Sequence, residues 1–216
     1  TDEALHFVLK VYNKFWRESY VPEQWRMATI IPITKPGKDP SNPSNYRPIA
    51  LSSVLCKTLE RIVNERLTDY LEMKKIISNV QCGGRKNKST TDHLVTLEYK
   101  IRENFAHNEH LISVLFDVEK AYDQTWKYGI LKDLHAMGMR GLLPKLVAKF
   151  LEDRKFRVKI NNTMSEPFTQ EMGIPQGSVL SVSLFAIKIN QIATLIPNNN
   201  RFHASLFVDD FQISYR

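Results

Sequence analysis

The sequence predicts an α+β fold, and three observations support that prediction. Apolar residues recur at helical spacing over residues 51–71 and 94–105, which indicates amphipathic helices. Apolar runs over residues 111–118 and 205–215 have the length of strands. No repeat, low-complexity tract or linker divides the chain. We therefore expect a mixed fold, mostly helical and basic before about residue 108 and with acidic positions framed by strands after it.

The first half contains three helical segments, one strand and a long loop. An apolar face at helical spacing predicts a helix over residues 3–19, and a β-branched run bounded by prolines predicts a strand over residues 27–34. Residues 35–48 are rich in Pro, Asn, Ser and Gly, and they predict a loop. The helices over residues 51–71 and 94–105 flank a basic turn that contains glycine.

The second half contains most of the predicted strands. The strand over residues 111–118 precedes two helical patterns, at residues 126–134 and 142–150. Residues 155–160 alternate polar and apolar, and residues 166–172 can pair with them across an Asn-Asn turn. The remaining predicted elements are a loop, a helix and two strands divided by an Asp-Asp pair, at residues 173–177, 180–195 and 205–215.

Composition indicates a folded chain with a preference for polyanions. The 216 residues are 43% hydrophobic and 25% charged, which is the range of globular proteins. The net charge of +7 favours nucleic acid or an anionic membrane surface as a partner. Twelve Lys or Arg against seven Asp or Glu over residues 35–100 account for most of that excess.

Cysteine usage and hydropathy exclude several classes of protein. Cys56 and Cys82 form no C-x-x-C motif, so a zinc site or a disulfide scaffold is not expected and a reducing compartment is. The sequence has no apolar run of the ~18 residues that a membrane span needs and no signal-peptide core at its start. Because the chain stops directly after a strand-like run, we expect it to be a fragment of a longer protein.

The Asp209-Asp210 pair between two apolar strands is the most informative feature. Two-residue hairpin turns favour Gly and Asn, and adjacent carboxylates repel each other there. A divalent cation would offset that repulsion, whereas the alternative is a solvated turn whose charges face water, the commoner explanation for an isolated Asp-Asp pair. Asp117, at the end of another apolar strand, could share the cation if the strands are neighbours, or could cap the helix that follows.

Two loops could bind phosphates. Gly173 and Gly177 flank Pro175-Gln176 just before Ser178 opens a helix, so backbone and helix N-terminus could approach a ligand; a capped turn is the alternative. Lys35 and Lys38 in a Pro-Gly loop, followed by Arg47, suit a triphosphate, whereas surface lysines are usually only solvated.

Taken in order, these segments resemble the reverse transcriptase domain of non-LTR (LINE-type, jockey-like) retrotransposons. Residues 46–51 resemble Y-R-P-I-x-L, residues 81–91 resemble Q-x-G-F-R…S-T, and residues 116–123 resemble F-D-x-x-x-A-F/Y-D. The remaining matches are to F-L-x-x-R-x-x-x-V, G-I-P-Q-G-S-V-L-S-P-x-L-F and F-A-D-D, at residues 150–158, 173–185 and 207–210. The sequence departs from the family pattern at Gly84, Val182 and Val208, where Phe, Pro and Ala are usual.

The resemblance implies a right-hand polymerase fold with helical fingers (residues 1–110, including an N-terminal extension) and an antiparallel-sheet palm (residues 111–216). The strands within residues 155–172 are fingers strands that fall in the second half of the chain and could associate with the palm, and the thumb is expected to be absent. The implied activity is RNA-directed DNA synthesis, with RNA template, DNA primer and dNTPs as partners and the rest of a retrotransposon polyprotein in cis. No membrane partner is expected, and the implied location is an intracellular ribonucleoprotein, cytoplasmic and nuclear.

The resemblance also implies roles for individual residues. Two Mg²⁺ ions, or Mn²⁺ as a substitute, would bind Asp117, Asp209 and the Val118 carbonyl, with Asp210 completing the catalytic set. The dNTP would contact Tyr122, a sugar gate that rejects the ribose 2′-OH, together with a set of fingers and loop residues: Lys35, Lys38, Arg47, Gln176 and Gly177. Nucleic acid would contact the basic turn and the glycine loop, through Arg85, Lys86, Lys88, Gly173 and Pro175.

Three other classes of function compete with this interpretation. A catalytically silent, truncated remnant would at most bind nucleic acid, and the departures at Gly84 and Val182 are compatible with it. A palm polymerase that makes RNA is disfavoured by Tyr122, because RNA synthesis must admit the 2′-OH. A basic membrane-surface protein is the weakest candidate, because no helix combines a basic face with a strong apolar face.

Overall fold

Helices and strands are interspersed along the chain of the computed structural model, which describes residues 1–197, 199 and 201–216. The α-helices are α1 (Asp2–Glu18), α2 (Glu23–Arg26), α3 (Val54–Met73), α4 (Thr90–Ala106), α5 (Lys127–Ala136), α6 (Leu142–Leu151) and α7 (Val179–Ile189). The strands are β1 (Met27–Thr34), β2 (Tyr46–Leu51), β3 (Ile112–Phe116), β4 (Lys155–Ile160), β5 (Thr163–Met164), β6 (Phe168–Thr169), β7 (Phe202–Phe207) and β8 (Asp210–Tyr215). The predicted α+β class is confirmed.

The chain forms two compact units, and each unit is assembled from two segments. The first consists of Thr1–Arg66 and Tyr122–Ser181, and the second of Leu67–Ala121 and Val182–Arg216. A single boundary at residue 110 is therefore not what the structure shows, because the chain leaves the first unit and later returns to it. The assignment of fingers and palm stays a prediction.

The first unit contains a mixed five-stranded sheet. Its strand order is β2-β1-β4-β5, with β6 also paired to β4. β1 pairs antiparallel with β2 and parallel with β4. β4 pairs directly with β1, so the strands within residues 155–172 share a sheet with a strand of the predicted fingers, and their assignment to fingers or palm stays a prediction. The predicted pairing of residues 155–160 with 166–172 is confirmed by the register Phe156↔Phe168.

β2 corrects the predicted loop over residues 35–48. Residues 46–48 belong to this strand, although the segment contains Pro48, which cannot donate to a ladder. β2 lies at the edge of the sheet, so a proline is tolerated there. The strand also takes in Leu51, so the helix predicted to start at that residue begins at Val54 instead.

Helices supply much of the core of the first unit. Ile130 and Leu134 of α5 and Leu146 and Val147 of α6 are each at most 3% exposed. On α3 the buried positions of this unit recur at helical spacing, as Cys56, Leu59 and Val63. Burial of this apolar area is the main stabilising contribution.

The second unit contains a three-stranded antiparallel sheet in the order β3-β8-β7. Its apolar face is formed by Ala204 and Leu206 of β7 and Phe211 of β8, which pack against half-buried aliphatic side chains such as Val80 and Ile189. Residues 80–82 run beside β7, because Cys82 N–H donates to the Leu206 carbonyl and Leu206 N–H donates to the Val80 carbonyl. This attachment matters for the site described below.

Within the described residues, no helix has the length and apolar character that crossing a membrane requires.

Candidate active site

Asp117, Asp209 and Asp210 lie at one end of the three-stranded sheet. β3 ends at Phe116, which pairs with Phe211, so Asp117 follows beside the start of β8. In the hairpin, Phe207 pairs with Asp210, which leaves Val208 and Asp209 as the two turn residues. The predicted Asp-Asp turn is therefore displaced by one residue, and Asp210 belongs to β8. The neighbouring strands on which a shared carboxylate cluster depends are present.

The other two carboxylates act electrostatically on Asp209. Burial raises the pKa of Asp209, and the negative charges of Asp210 and Asp117 raise it further, against the opposing effect of a backbone N–H. Asp209 is half-buried, whereas Asp117 and Asp210 are exposed. The charged form of Asp209 is thus disfavoured in the protein alone, and a nearby cation would favour it.

The donor set fits an open magnesium site rather than a closed metal cage. Mg²⁺ takes hard oxygen ligands and is usually held by one or two carboxylates together with water and substrate phosphates. In the part of the chain that the structure describes, no group of three or more His, Cys, Asp or Glu side chains could hold a metal ion. Asp117 and Asp209 would therefore need oxygens from the backbone, such as the Val118 carbonyl, or from substrate.

In the first unit, backbone hydrogen bonds attach the loop of residues 173–177 to the segment that begins at Tyr122. The Tyr122 carbonyl accepts from Ile174 N–H at 2.8 Å, and the Thr125 carbonyl accepts from Gly173 N–H at 2.9 Å. Gly173 has φ +80°, and a Cβ there would lie 2.5 Å from the Asp123 carbonyl oxygen. Glycine is therefore required at this position by both conformation and space.

Gln176 connects this loop to two neighbours and faces a cavity. Its Nε2 donates to both carboxylate oxygens of Asp123, at 3.2 and 3.3 Å, and its carbonyl accepts from Ala50 N–H at 2.7 Å. A cavity of about 410 Å³ opens beside these groups. Its lining includes Pro48, Ala50, Asp123, Pro175 and Gln176 among mainly apolar side chains. Gly177, whose Cβ would lie 3.0 Å from the Ala50 carbonyl oxygen, keeps the loop close to β2.

The N-terminus of α7 is capped by a protein carboxylate instead of being directed at a ligand. Glu60, only 3% exposed, accepts hydrogen bonds from Val179 N–H at 2.7 Å and Leu180 N–H at 3.3 Å, and also from the Ser178 hydroxyl. A buried carboxylate at this position satisfies free amides and complements the helix dipole. Of the two sequence alternatives for this helix start, the capped turn is correct.

The predicted triphosphate cations lie on β2 and in the loop between β1 and β2. Arg47 pairs with Ile33 in the β1–β2 ladder and its side chain is exposed. Lys38 is exposed in the loop, and Lys35 Nζ lies 3.5 Å from the Ser44 carbonyl. These positions permit contact with a phosphate, and their role stays a prediction.

Arg85 has a structural role that the sequence did not indicate. Its guanidinium donates twice to Glu72, at 2.7 Å each, and to the carbonyls of Ser78 and Gln81 at 3.0 Å. The hydrogen bond from Arg85 is the main cause of the lowered pKa of Glu72. With these donors engaged and its side chain 12% exposed, Arg85 is not available as a template contact.

Lys86 and Lys88 remain candidates for a nucleic-acid contact. Both are exposed, and Lys86 lies 3.8 Å from Asp69 in a solvent-exposed ion pair. An exposed ion pair of this kind contributes only about 0–1 kcal/mol, so it does not hold Lys86 strongly at Asp69.

Sequence reasoning missed the buried polar residues that support these sites. Glu60 and Gln81 are 3% and 0% exposed, and each bonds to a segment more than a hundred residues away in the chain. The signal for Glu60 is a Glu that departs from the apolar stripe of an amphipathic helix, and the signal for Gln81 is its place at the start of the Q-x-G motif.

An antiparallel sheet with three aspartates at one end, in an α+β fold, is the arrangement expected of a nucleotide polymerase. The chain belongs to the reverse transcriptase (RNA-dependent DNA polymerase) family, whose model matches residues 33–216. This match, together with the transposon relatives described next, confirms the resemblance to reverse transcriptase domains of non-LTR retrotransposons.

Curated relatives agree with this assignment, and solved structures agree with the fold. The chain is 32% identical over 223 residues to the "Probable RNA-directed DNA polymerase from transposon BS" of Drosophila melanogaster, covering 98% of this chain and 24% of that protein. It is 31% identical over 196 residues to the RNA-directed DNA polymerase from the mobile element jockey of the same species, covering 91% and 21%. Among solved structures, apo telomerase from Candida tropicalis shares the fold with a TM-score of 0.65 at 12% identity, covering 100% of this chain and 44% of that one. The chain thus spans about a quarter of the length of the curated relatives that it matches.

Proposed function

We propose that this chain is the RNA-directed DNA polymerase domain of a retrotransposon protein and that it adds dNTPs to a primer 3′-OH over an RNA template. The observation that carries the proposal is the cluster of Asp117, Asp209 and Asp210 at the end of the β3-β8-β7 sheet. Membership of the reverse transcriptase family supports it.

The aspartates would hold two Mg²⁺ ions, for which Mn²⁺ could substitute. Asp117 and Asp209 would be ligands through carboxylate oxygens, with help from the Val118 carbonyl, and Asp210 would tune their charge. When bound, the ions supply positive charge that lowers the pKa of the primer 3′-OH and neutralises the leaving pyrophosphate. The chain's own contribution is to hold these oxygens in place on a sheet.

Residues of the first unit would bind the nucleotide. Arg47, with Lys35 or Lys38, would bind the triphosphate, because guanidinium and ammonium groups complement phosphate oxygens. The ring of Tyr122 would exclude a ribose 2′-OH by steric clash, which gives a preference for dNTPs. A second group of residues in and around the 410 Å³ cavity would border the nucleotide or the nucleic acid: Gly173, Pro175, Gln176 and Gly177.

Charge and family support a proposal for the template and the cellular setting. Lys86 and Lys88 would contact template phosphates without reading sequence. The rest of the retrotransposon polyprotein would act in cis, since the relatives are several times longer. We place this work in an intracellular ribonucleoprotein, cytoplasmic and nuclear, which agrees with two buried free cysteines.

Primer extension on an RNA template tests the proposal. Asp117→Asn and Asp209→Asn should each lower the Mg²⁺-dependent rate by on the order of 10³-fold, the equivalent of about 4 kcal/mol in the barrier. Asp69→Asn is the matched control, because Asp69 is an exposed aspartate of the same unit outside the cluster. A rate unchanged by Asp209→Asn would contradict the proposal.

The silent remnant is the alternative outcome of the same assay, and one structural observation weakens it. Gly84 and Val182, the two departures attributed to decay, face each other: a Cβ at Gly84 would lie 2.5 Å from Val182 Cγ1. The aliphatic side chain occupies the space beside the glycine, so the two changes are mutually compatible. Absence of extension, both in this chain and in one lengthened at its C-terminus, would favour the remnant.

A further inference from the structure

We propose that Gln81 is a positioning residue that holds the Val208-Asp209 turn in the conformation from which Asp209 acts. The inference rests on the proposed function, because it assumes that Asp209 is a metal ligand. It deepens that function by adding a residue that touches neither substrate nor metal.

Gln81 lies beneath the turn and is completely buried, with 0% of its surface exposed. Its side-chain oxygen Oε1 accepts from Val208 N–H at 3.1 Å and from Gly83 N–H at 2.8 Å. Its Nε2 donates to the Val208 carbonyl at 3.3 Å. One side chain therefore binds both backbone polar groups of the residue that precedes Asp209.

The orientation of the amide follows from these contacts. Two backbone N–H groups point at the same atom, and only the oxygen can accept from both. The opposite orientation would set the amide nitrogen against two donors. The hydrogen bonds thus define a single arrangement of Gln81.

Val208 needs such a partner because its backbone is strained. Its φ is +59°, in the left-handed region, where a β-branched residue is a rare outlier. A strained conformation of this kind persists only when several contacts with the surrounding structure hold it in place. The two hydrogen bonds to Gln81 satisfy that condition.

Gly83 makes the contact sterically possible. A Cβ at this position would lie 2.3 Å from Val208 N and 2.6 Å from Val208 Cγ2. The segment is also fixed beside β7 by the hydrogen bonds between residues 80–82 and Leu206. Gln81 therefore lies in a segment that is hydrogen-bonded to β7. The direction in which the chain continues from Val208 to Asp209 depends on the contacts of Gln81.

The first test compares Gln81→Met with Asn190→Leu. The methionine has nearly the same length and removes all three hydrogen bonds to the amide. Asn190 is the matched control, since its side chain also accepts from one backbone amide (Ser78 N–H, 2.8 Å) and donates to one carbonyl (Ile76, 3.0 Å) of the same unit. Both variants lose stability, but only one affects the turn.

The readouts are Mn²⁺ affinity, measured by the EPR signal of free Mn²⁺, and the kinetics of primer extension. Gln81→Met should weaken Mn²⁺ binding and lower kcat by about tenfold each, with the KM for dNTP unchanged. Asn190→Leu should change both by less than about twofold. Equal effects of the two variants would overturn the inference.

A second background separates positioning from general stability. Glycine adopts positive φ without strain, so a Val208→Gly chain needs the Gln81 amide less. The loss of kcat caused by Gln81→Met should shrink from about tenfold to about twofold in that background. A loss of the same size in both backgrounds would contradict the inference.

Hydrogen exchange on the unaltered chain covers the case in which Gln81→Met does not fold. The Val208 amide, although it lies in a turn, should be protected by its bond to Gln81, and exchange at the rate of an open turn would overturn the inference. The Mn²⁺ and exchange readouts do not require polymerisation. A chain that passes both but extends no primer, either as it is or lengthened at its C-terminus, would therefore refute the proposed activity and leave the positioning role of Gln81 intact.

Discussion

Asp209 and Val208 have local features that destabilise the fold, at the position where we propose that a metal ion binds. Asp209 is half-buried beside two like charges, and Val208 before it has a left-handed backbone. Neither feature stabilises the fold. Such local costs are expected where a binding or catalytic group must be held in one position.

Asp209→Asn should raise the melting temperature in metal-free buffer at pH 7. Burial and the neighbouring carboxylates raise the pKa of Asp209, so its charged form opposes folding, and asparagine removes that charge. Because the pKa of Asp209 is raised in the folded protein, the increase in melting temperature should develop as pH rises through that raised value. It should be absent below about 3.8, the ordinary value for Asp. Thermal denaturation at several pH values, with Asp69→Asn as the control, measures it; a lower melting temperature at pH 7 would contradict this account.

Elements in this protein are joined by buried polar caps and close glycine contacts. The start of α7 is satisfied by Glu60 of α3, and the 173–177 loop is held against residues 122–125 by backbone hydrogen bonds. Both junctions lie within the first unit. They place Gln176 beside the cavity and Asp123.

Glu60→Gln should destabilise the protein by about 1–3 kcal/mol, because it removes a buried negative charge that accepts from two α7 amides and a hydroxyl. Denaturant unfolding followed by circular dichroism measures the loss. Glu65→Gln, at an exposed position of the same helix, should change the free energy of unfolding by less than about 0.5 kcal/mol. Equal effects at the two positions would show that the cap contributes nothing.

Gly173→Ala should cost more stability than Gly37→Ala. Both glycines have positive φ, +80° and +71°, so alanine pays about 1 kcal/mol of backbone strain at either position. Only at Gly173 does the added Cβ meet the Asp123 carbonyl oxygen, at 2.5 Å, whereas nothing lies within 4 Å of a Cβ at Gly37. We expect a total loss of about 3 kcal/mol at Gly173, measured by the same unfolding experiment. Similar losses at both would mean that the loop moves aside without cost.

Charge is the property of the whole molecule that relates most directly to its partners. The net charge of +7 favours nucleic acid, and the family assignment identifies which nucleic acid to test. Not every cation contributes to that preference in the same way. Arg85 is committed to Glu72 and to backbone carbonyls, whereas Lys86 and Lys88 are exposed.

Replacing both Lys86 and Lys88 with Met should weaken RNA binding, because two phosphate contacts are lost. The plot of the log association constant against log salt concentration should become less steep, by about 1.4–1.8 in the magnitude of its slope. Fluorescence anisotropy over a series of salt concentrations measures the slope. Arg85→Met is the contrasting control: it should lower the melting temperature and leave the slope unchanged. If Arg85→Met reduces the slope instead, the guanidinium contacts RNA.

Short sequence motifs were sufficient to predict the family and the α+β class, which are confirmed, and to single out the three aspartates, whose catalytic role stays a prediction. Turn and strand patterns are set by neighbouring residues, so a motif such as F-V-D-D-F predicts its own hairpin to within one position. The pairing of residues 155–160 with 166–172 was predictable for the same reason.

Contacts between segments that are distant in the sequence could be identified only from the folded structure. The parallel pairing of β1 with β4, the cap on α7 by Glu60 and the support of Val208 by Gln81 each join residues more than a hundred positions apart. The inward orientation of the Arg85 guanidinium was likewise not predictable, because Glu72 and two backbone carbonyls surround it only in the folded chain. A buried polar side chain is stable only when its partners are assembled around it, and no local pattern in a sequence records where those partners will be.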